Sequence, residues 1–433
     1  MPRRQPSPLG AATISFLPLI LLLTLSLLLP GAASSSAGGI VDSYPPSMPI
    51  YKFYPMVKGQ KIRKYPVGKE QAYLDRKYKD GYTVEVSAAS SEEARERERL
   101  SANMYNTVRK AAEVHRRVRQ YALDEVIKPG VKLIDMCEKI ENATRAYLEA
   151  DKHPTACLKA GIGFPTGCSL NEVAAHFSPN AGDTTVLKYD DVMKLDFGTH
   201  VDGYIVDSAF TWAPDPQYEQ LLLAVREATL AGIAAAGIDV RLQDVGEAVQ
   251  EVMESYECEI KGKRYQVRCV RNLQGHSIVP FHIHAGKSVP ITRGSGDRTR
   301  MEEGEVFAIE TFGTTGEGWV REKGDCSHYM YDDEGVDLTQ LVKSAEARKL
   351  AKNIAKYFGT LPWCRRYLSR ATGMEEKKYM PHMKQLISAG IVEEYPPLVD
   401  VKGSYVAQYE HTIILRPTCK EVVSAGDDRG MAW

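Results

Sequence analysis

The chain has 433 residues, 43% hydrophobic and 26% charged, a balance that excludes a disordered or fibrous polymer and supports a large core in roughly two to three domains. Lys and Arg total 55 against 56 Asp and Glu. There is thus no overall basic field to gather nucleic acid and no acidic field to gather cations, and the expectation is a monomer with no DNA partner whose recognition is local.

At the N-terminus, Arg3 and Arg4 precede a mostly Leu, Ile and Phe run over 14–29, followed by Gly31, Ala32, Ala33 and Ser34. This is the layout of a secretory signal peptide, and the run falls short of the ~20 apolar residues of a spanning helix. Residues 1–33 are read as a signal-like leader; the other reading is an upstream start on a cytosolic enzyme. Residues 34–88 hold Pro45, Pro46, Pro49 and Pro55 without a sustained period and are expected to form an extended arm.

A catalytic domain is expected over 89–433. Ser90 and Glu93 form a capping box. Leu100, Met104, Val108, Ala111, His115, Val118 and Ala122 then recur at helical spacing until Pro129-Gly130. Arg95, Arg97, Arg99, Arg116 and Arg117 are read as a solvated face of that helix. A second helix carries Leu133, Met136, Cys137, Ile140, Thr144, Tyr147 and Leu148, and contains the sequon Asn142-Ala143-Thr144. Two more are centred on Leu221 and Val249, and strands are expected at 192–197, 204–211, 305–312 and 405–415. Between 335 and 395 the pattern turns helical and basic, with helices at 345–358 and 379–391, and reads as an insertion because strand character resumes beyond it. The eight cysteines lack any C-x-x-C pair, which argues against a zinc ribbon or a disulfide framework and for buried free thiols suited to a reducing compartment.

Carboxylates stand where strands should exclude them. Asp196 lies in Lys194-Leu195-Asp196-Phe197-Gly198, Asp207 in Ile205-Val206-Asp207-Ser208, Glu310 in Phe307-Ala308-Ile309-Glu310-Thr311-Phe312, and Glu410 in Tyr409-Glu410-His411-Thr412-Ile413. A buried ionised carboxylate is costly unless a cation or hydrogen bonds compensate it, and four such cases point to one shared cause. With His276, in Gly275-His276-Ser277, they form an oxygen-rich set suited to a pair of divalent first-row ions, Co, Mn, Fe or Zn, rather than to structural zinc. Such ions activate water near neutral pH and stabilise a tetrahedral oxyanion, the two needs of amide hydrolysis. His176, His284 and His328 become candidate substrate groups only if the fold sets them beside this cluster.

The segments Phe164-Pro165-Thr166-Gly167-Cys168-Ser169 and Asn180-Ala181-Gly182-Asp183-Thr184, the Asp196 and Asp207 strands, 272–286, 305–313 and 402–417 resemble, in order, the type 2 methionine aminopeptidases. The likeness spans about residues 100–433. It implies a mixed α/β (α+β) pita-bread fold, in which two related halves clasp a dinuclear metal centre, with a small helical insertion. It also implies that Asp196 chelates one metal, that His276 and Glu310 hold the other, and that Asp207 and Glu410 bridge both. Glu310 would then carry a proton, His176 and His284 would orient the scissile amide, and Phe164, Ile283, His328 and Tyr395 would line the methionine pocket. The implied substrates are N-termini of nascent polypeptides in the cytoplasm. The family's Lys-rich N-terminal extension, linked to ribosome association, is replaced here by the apolar leader, and Val279-Pro280-Phe281-His282 departs locally from the family pattern. Two other readings stay open: a pita-bread hydrolase of the Xaa-Pro dipeptidase kind, which shares the five ligands, and a noncatalytic ribosome- or RNA-binding relative.

Overall fold

A computed structural model describes residues 42–86, 91–152, 156–332, 335 and 337–426. The leader expected at 1–33 lies outside the described residues, and no helix among them is long and apolar enough to cross a membrane.

Two α/β units are built from the expected strands and helices. In the first, the helices Glu92–Tyr121 and Leu133–Leu148 cover a sheet of three antiparallel strands, Ala160–Leu170, Met193–Val201 and Tyr204–Trp212. Ser91 caps the first helix, its side chain accepting from Ala94 N, while Ser90 of the expected capping box lies outside the described residues. Leu100, expected on the buried face, is exposed because only Ala94 is buried among the helix's first nine residues. In the second unit, Glu219–Ala235 and Leu242–Met253 pack on a larger antiparallel sheet with Val306–Thr314 and Val406–Leu415 at its centre. The Asn142 sequon lies inside the Leu133–Leu148 helix, with the Thr144 hydroxyl buried and donating to Ile140 O.

The units meet where Tyr204–Trp212 lies against Val406–Leu415, and side-chain hydroxyls stitch the seam. Thr412 Oγ1 donates to Asp207 O at 2.6 Å and accepts from Asp207 N at 2.8 Å, Ser208 Oγ donates to Glu410 O at 2.7 Å, and Thr211 Oγ1 donates to Gln408 O at 2.8 Å. Buried hydroxyls paired in this way cost little, whereas unpaired ones would be expensive. The seam therefore fixes Asp207 and Glu410 against each other.

Three helices, Ala345–Phe358, Arg365–Thr372 and Glu376–Ser388, surround their own core of Tyr329, Leu350, Ile354, Trp363 and Leu386. The strands His328–Tyr331 and Val392–Tyr395 pair antiparallel and close this block. The Arg365–Thr372 helix had no clear signal because basic residues and small polar groups obscure its short apolar face. Arg366 ties the block to the first unit: its guanidinium donates two parallel bonds to Glu141, at 2.7 and 2.8 Å, with both side chains nearly inaccessible. Arg366→Met strips buried Glu141 of both parallel bonds and leaves it only the longer contact to Arg145 at 3.8 Å, and the expected loss is roughly 3–5 kcal/mol in denaturant unfolding. An unchanged midpoint would show that Glu141 is solvated by other groups.

The arm is more than an extended strap. Ile50 and Phe53 are buried in the main core, and Lys69–Gln71 adds an edge strand beside Lys420–Val422. Its prolines removed the periodicity that would have announced either feature. The arm also corrects the reading of Arg116 and Arg117 as solvated: both are largely buried, paired with Glu113, and Arg117 reaches Asp42 in the arm at 2.9 Å. All eight cysteines are free, and most are buried.

Candidate metal centre and substrate cavity

Strand register brings the anomalous carboxylates together. In the hairpin, Gly198 faces Asp207 and Asp196 faces Ala209, so the two aspartates are diagonal neighbours on one face. In the second unit Glu310 sits directly opposite Glu410. Like charges in that position destabilise a ladder, so something outside it must compensate. The Gln274–Ile278 strand then places His276 opposite Ala308, on the same face as Glu310. Close strand approach needs Gly275, because a Cβ there would run into Ala308 O.

One nitrogen or oxygen from each of Asp207, His276 and Glu410 lies within 4.8 Å of the others, and His276 Nε2 stands 3.6 Å from both Asp207 Oδ2 and Glu310 Oε1. Burial pushes the Asp196 carboxyl up to about 6. It holds Asp207, Glu310 and Glu410 well above the ordinary carboxylate range, with mutual repulsion adding to the effect. Burial and the nearby His284 press His276 down to about 3, so its imidazole is neutral. With Nδ1 donating to Ser277 O at 3.4 Å, Nε2 turns a lone pair toward two carboxylate oxygens.

The residues fit a divalent cation on this ground alone. Asp196 Oδ1, Asp207 Oδ1 and Glu410 Oε1 are buried without any hydrogen-bond donor. Acceptors facing acceptors in a dry site are unfavourable until a positive charge joins them.

Beside this cluster opens a cavity of about 490 Å³, and every expected site residue lines it: Phe164, His176, Asp196, Asp207, His276, Ile283, His284, Glu310, His328, Tyr395 and Glu410. Phe164 and Ile283 belong to an apolar cluster with Ile205, Ile278, Ala308 and Leu361. Gly198 makes room for the Phe164 ring, which a Cβ at that position would strike. His176 adopts a left-handed backbone at φ 62°, a conformation unusual outside glycine that turns its ring toward His328 and Tyr395, 5.6 and 6.0 Å away. Burial lowers His176 to about 4 and His328 to about 3. His284 is exposed at the cavity wall, its ring edge-on to His276 at 4.5 Å.

The departing segment 279–282 does not line the cavity. Phe281 packs against the apolar cluster from outside, and its carbonyl accepts from Thr360 Oγ1 at 2.6 Å.

Sequence reading missed several lining residues. Gln408 precedes Glu410 by two, Phe312 follows Glu310 by two, and Met330 follows His328 by two, so strand alternation alone puts each on the same face as a recognised neighbour. Pro362 arrives from the helical block, where no local pattern announces it.

Residues 106–359 match the metallopeptidase family M24. Methionine aminopeptidase 2A of Arabidopsis thaliana is 54% identical, covering 89% of this chain and 81% of its own length. Methionine aminopeptidase 2 of Clavispora lusitaniae is 56% identical over 82% of each chain. That of Schizosaccharomyces pombe is 54% identical, over 84% of this chain and 83% of its own. A solved structure described as a thermophilic Arx1 superposes with a TM-score of 0.61 at 17% identity, covering 74% of this chain and 90% of its own. The architecture is therefore the pita-bread fold, and divalent metal is the family's cofactor. The chain belongs to metallopeptidase family M24 and, within it, to the methionine aminopeptidase 2 group.

Proposed function

We propose that Asp196, Asp207, His276, Glu310 and Glu410 hold two divalent ions, and that peptides whose second residue is small enter the adjoining cavity by their N-terminal methionine. The chain is a metallo-aminopeptidase that removes N-terminal methionine. The observation that carries the site assignment is the set of buried carboxylate oxygens without donors, gathered around a neutral imidazole at the floor of an apolar-walled cavity.

When bound, the ions supply an activated water and positive charge for the developing oxyanion. Phe164 and Ile283 surround the unbranched thioether and exclude water, while His328 and Tyr395 complete the wall. His176 and His284 orient the scissile amide, and as neutral imidazoles they donate hydrogen bonds without adding charge that would repel the substrate's ammonium group. Glu310 takes a proton from the attacking water and returns it to the leaving amine.

His284→Ala removes one such donor and leaves all five proposed ligands in the chain. It should lower kcat about 100- to 1000-fold while metal content, read by atomic emission, stays at the wild-type value. Loss of metal together with activity would instead make His284 part of the ion site.

The reading is tested by methionine release from Met-Ala and Met-Val peptides against hydrolysis of Xaa-Pro peptides, each with added Mn or Co. Release from Met-Ala is expected to dominate. Activity confined to Xaa-Pro, or metal binding without hydrolysis of any of these peptides, would overturn it.

A further inference from the structure

Gln408 is a buried amide that no part of the mechanism has used. Its side-chain Nε2 lies 3.3 Å from Asp196 Oδ2, 3.3 Å from Glu310 Oε2 and 3.4 Å from Glu410 Oε2. The residue is 1% exposed, and its own Oε1 is buried without a donor. In that orientation the N–H groups face the carboxylate oxygens, where turning the amide over would set its own Oε1.

The backbone beneath it is fixed from the other half of the molecule. Gln408 N donates to Thr211 Oγ1 and Gln408 O accepts from the same hydroxyl, both at 2.8 Å. The amide therefore stands on a rigid seam.

Which oxygen of each carboxylate the amide touches is the informative detail. It takes Oδ2 of Asp196 and leaves Oδ1 without a donor; it takes Oε2 of Glu410 and leaves Oε1 likewise. It takes Oε2 of Glu310, whose Oε1 faces His276 Nε2 at 3.6 Å. An amide has two N–H groups, so the three contacts share them, and each is longer than an ideal bond. Losing a partner that merely orients a ligand typically costs about 10- to 100-fold in metal affinity.

We infer that Gln408 is a positioning residue: its amide holds one oxygen each of Asp196, Glu310 and Glu410 and turns the other oxygen of each toward the ion site. The inference rests on the proposed metal-ligand role of those carboxylates. In the metal-free chain the same contacts keep three mutually repelling groups converged, so the site is formed before an ion arrives.

The test is calorimetric titration of the chelator-treated full chain with Mn²⁺, comparing wild type, Gln408→Met and Gln408→Asn. Met fills similar volume without a donor, and Asn keeps the amide but withdraws it by one methylene. Both are expected to weaken Mn²⁺ binding about 10- to 100-fold. A variant that loses thermal stability while its Mn²⁺ affinity matches wild type would reduce Gln408 to a packing residue and overturn the inference. Should Gln408→Met not fold, Gln408→Asn alone carries the same two outcomes. A wild-type chain that takes up no Mn²⁺ would refute the metal-site reading itself, which this design separates from the role of Gln408.

Discussion

Asp207→Asn is expected to leave a folded protein that has lost more than about 100-fold in methionine release, a penalty beyond that of disturbing a group which only orients a ligand. The fold should survive because Asp207 is held through its backbone, N and O both bonded to the Thr412 hydroxyl, and Asn is nearly isosteric. The activity should not, because the carboxylate lies between the two halves with Oδ2 toward His276 and Oδ1 unpartnered, the placement expected of a group shared by two ions. Metal content measured on the purified variant should fall below that of wild type. Near-normal turnover with two metals still bound would remove Asp207 from the bridging role.

Removing the metal should make stability depend on pH in a direction opposite to ordinary carboxylates. Asp196 rises to about 6 in the folded chain, and Asp207, Glu310 and Glu410 rise well above their usual range. A carboxyl whose folded value exceeds its unfolded one, near 4, stabilises the protein fully below that unfolded value. That contribution is lost as pH climbs through the folded value. The Asp196 share alone amounts to about 3 kcal/mol, gone somewhat above pH 6.

Chelated protein should therefore melt at lower temperature at pH 7.5 than at pH 5.5, whereas the loaded protein keeps its carboxylates compensated. The gain in melting temperature on adding Mn²⁺ should grow across that interval, with proton release on binding. An equal gain at both pH values would mean that these carboxyls are already ionised and satisfied in the metal-free chain.

The candidate site was legible because it breaks rules that the rest of the chain obeys. Asp196, Asp207, Glu310 and Glu410 are acidic residues in apolar strands, and each strand was found within a residue or two of its expected start. What no local pattern contains is the pairing. That Glu310 faces Glu410 across a ladder, with the helical block of chain between them, follows from packing two distant segments into one sheet. Gln408 illustrates the same gap: a glutamine in a strand looks like an edge residue until the other half of the molecule buries it.

Helices were legible where apolar spacing was long, as in Ala345–Phe358, and lost where a short stretch such as Arg365–Thr372 is stabilised by tertiary ion pairs. The arm failed for a related reason. Its buried apolar residues, among them Ile50, Phe53, Tyr65 and Val84, are isolated anchors with no period to read, and its edge strand is polar, Lys69-Glu70-Gln71, as exposed edges often are. Arg116 and Arg117 looked solvated only because the arm that covers them had not been placed.

The central claim, that five converging ligands hold the ions this hydrolysis requires, is tested most directly by titrating chelated protein with Mn²⁺ while following methionine release from a Met-Ala peptide. Activity should be absent at the start, rise with added metal and level off once two ions per chain are bound. Full activity in the chelated protein, or a plateau reached with no ion bound at these residues, would contradict it.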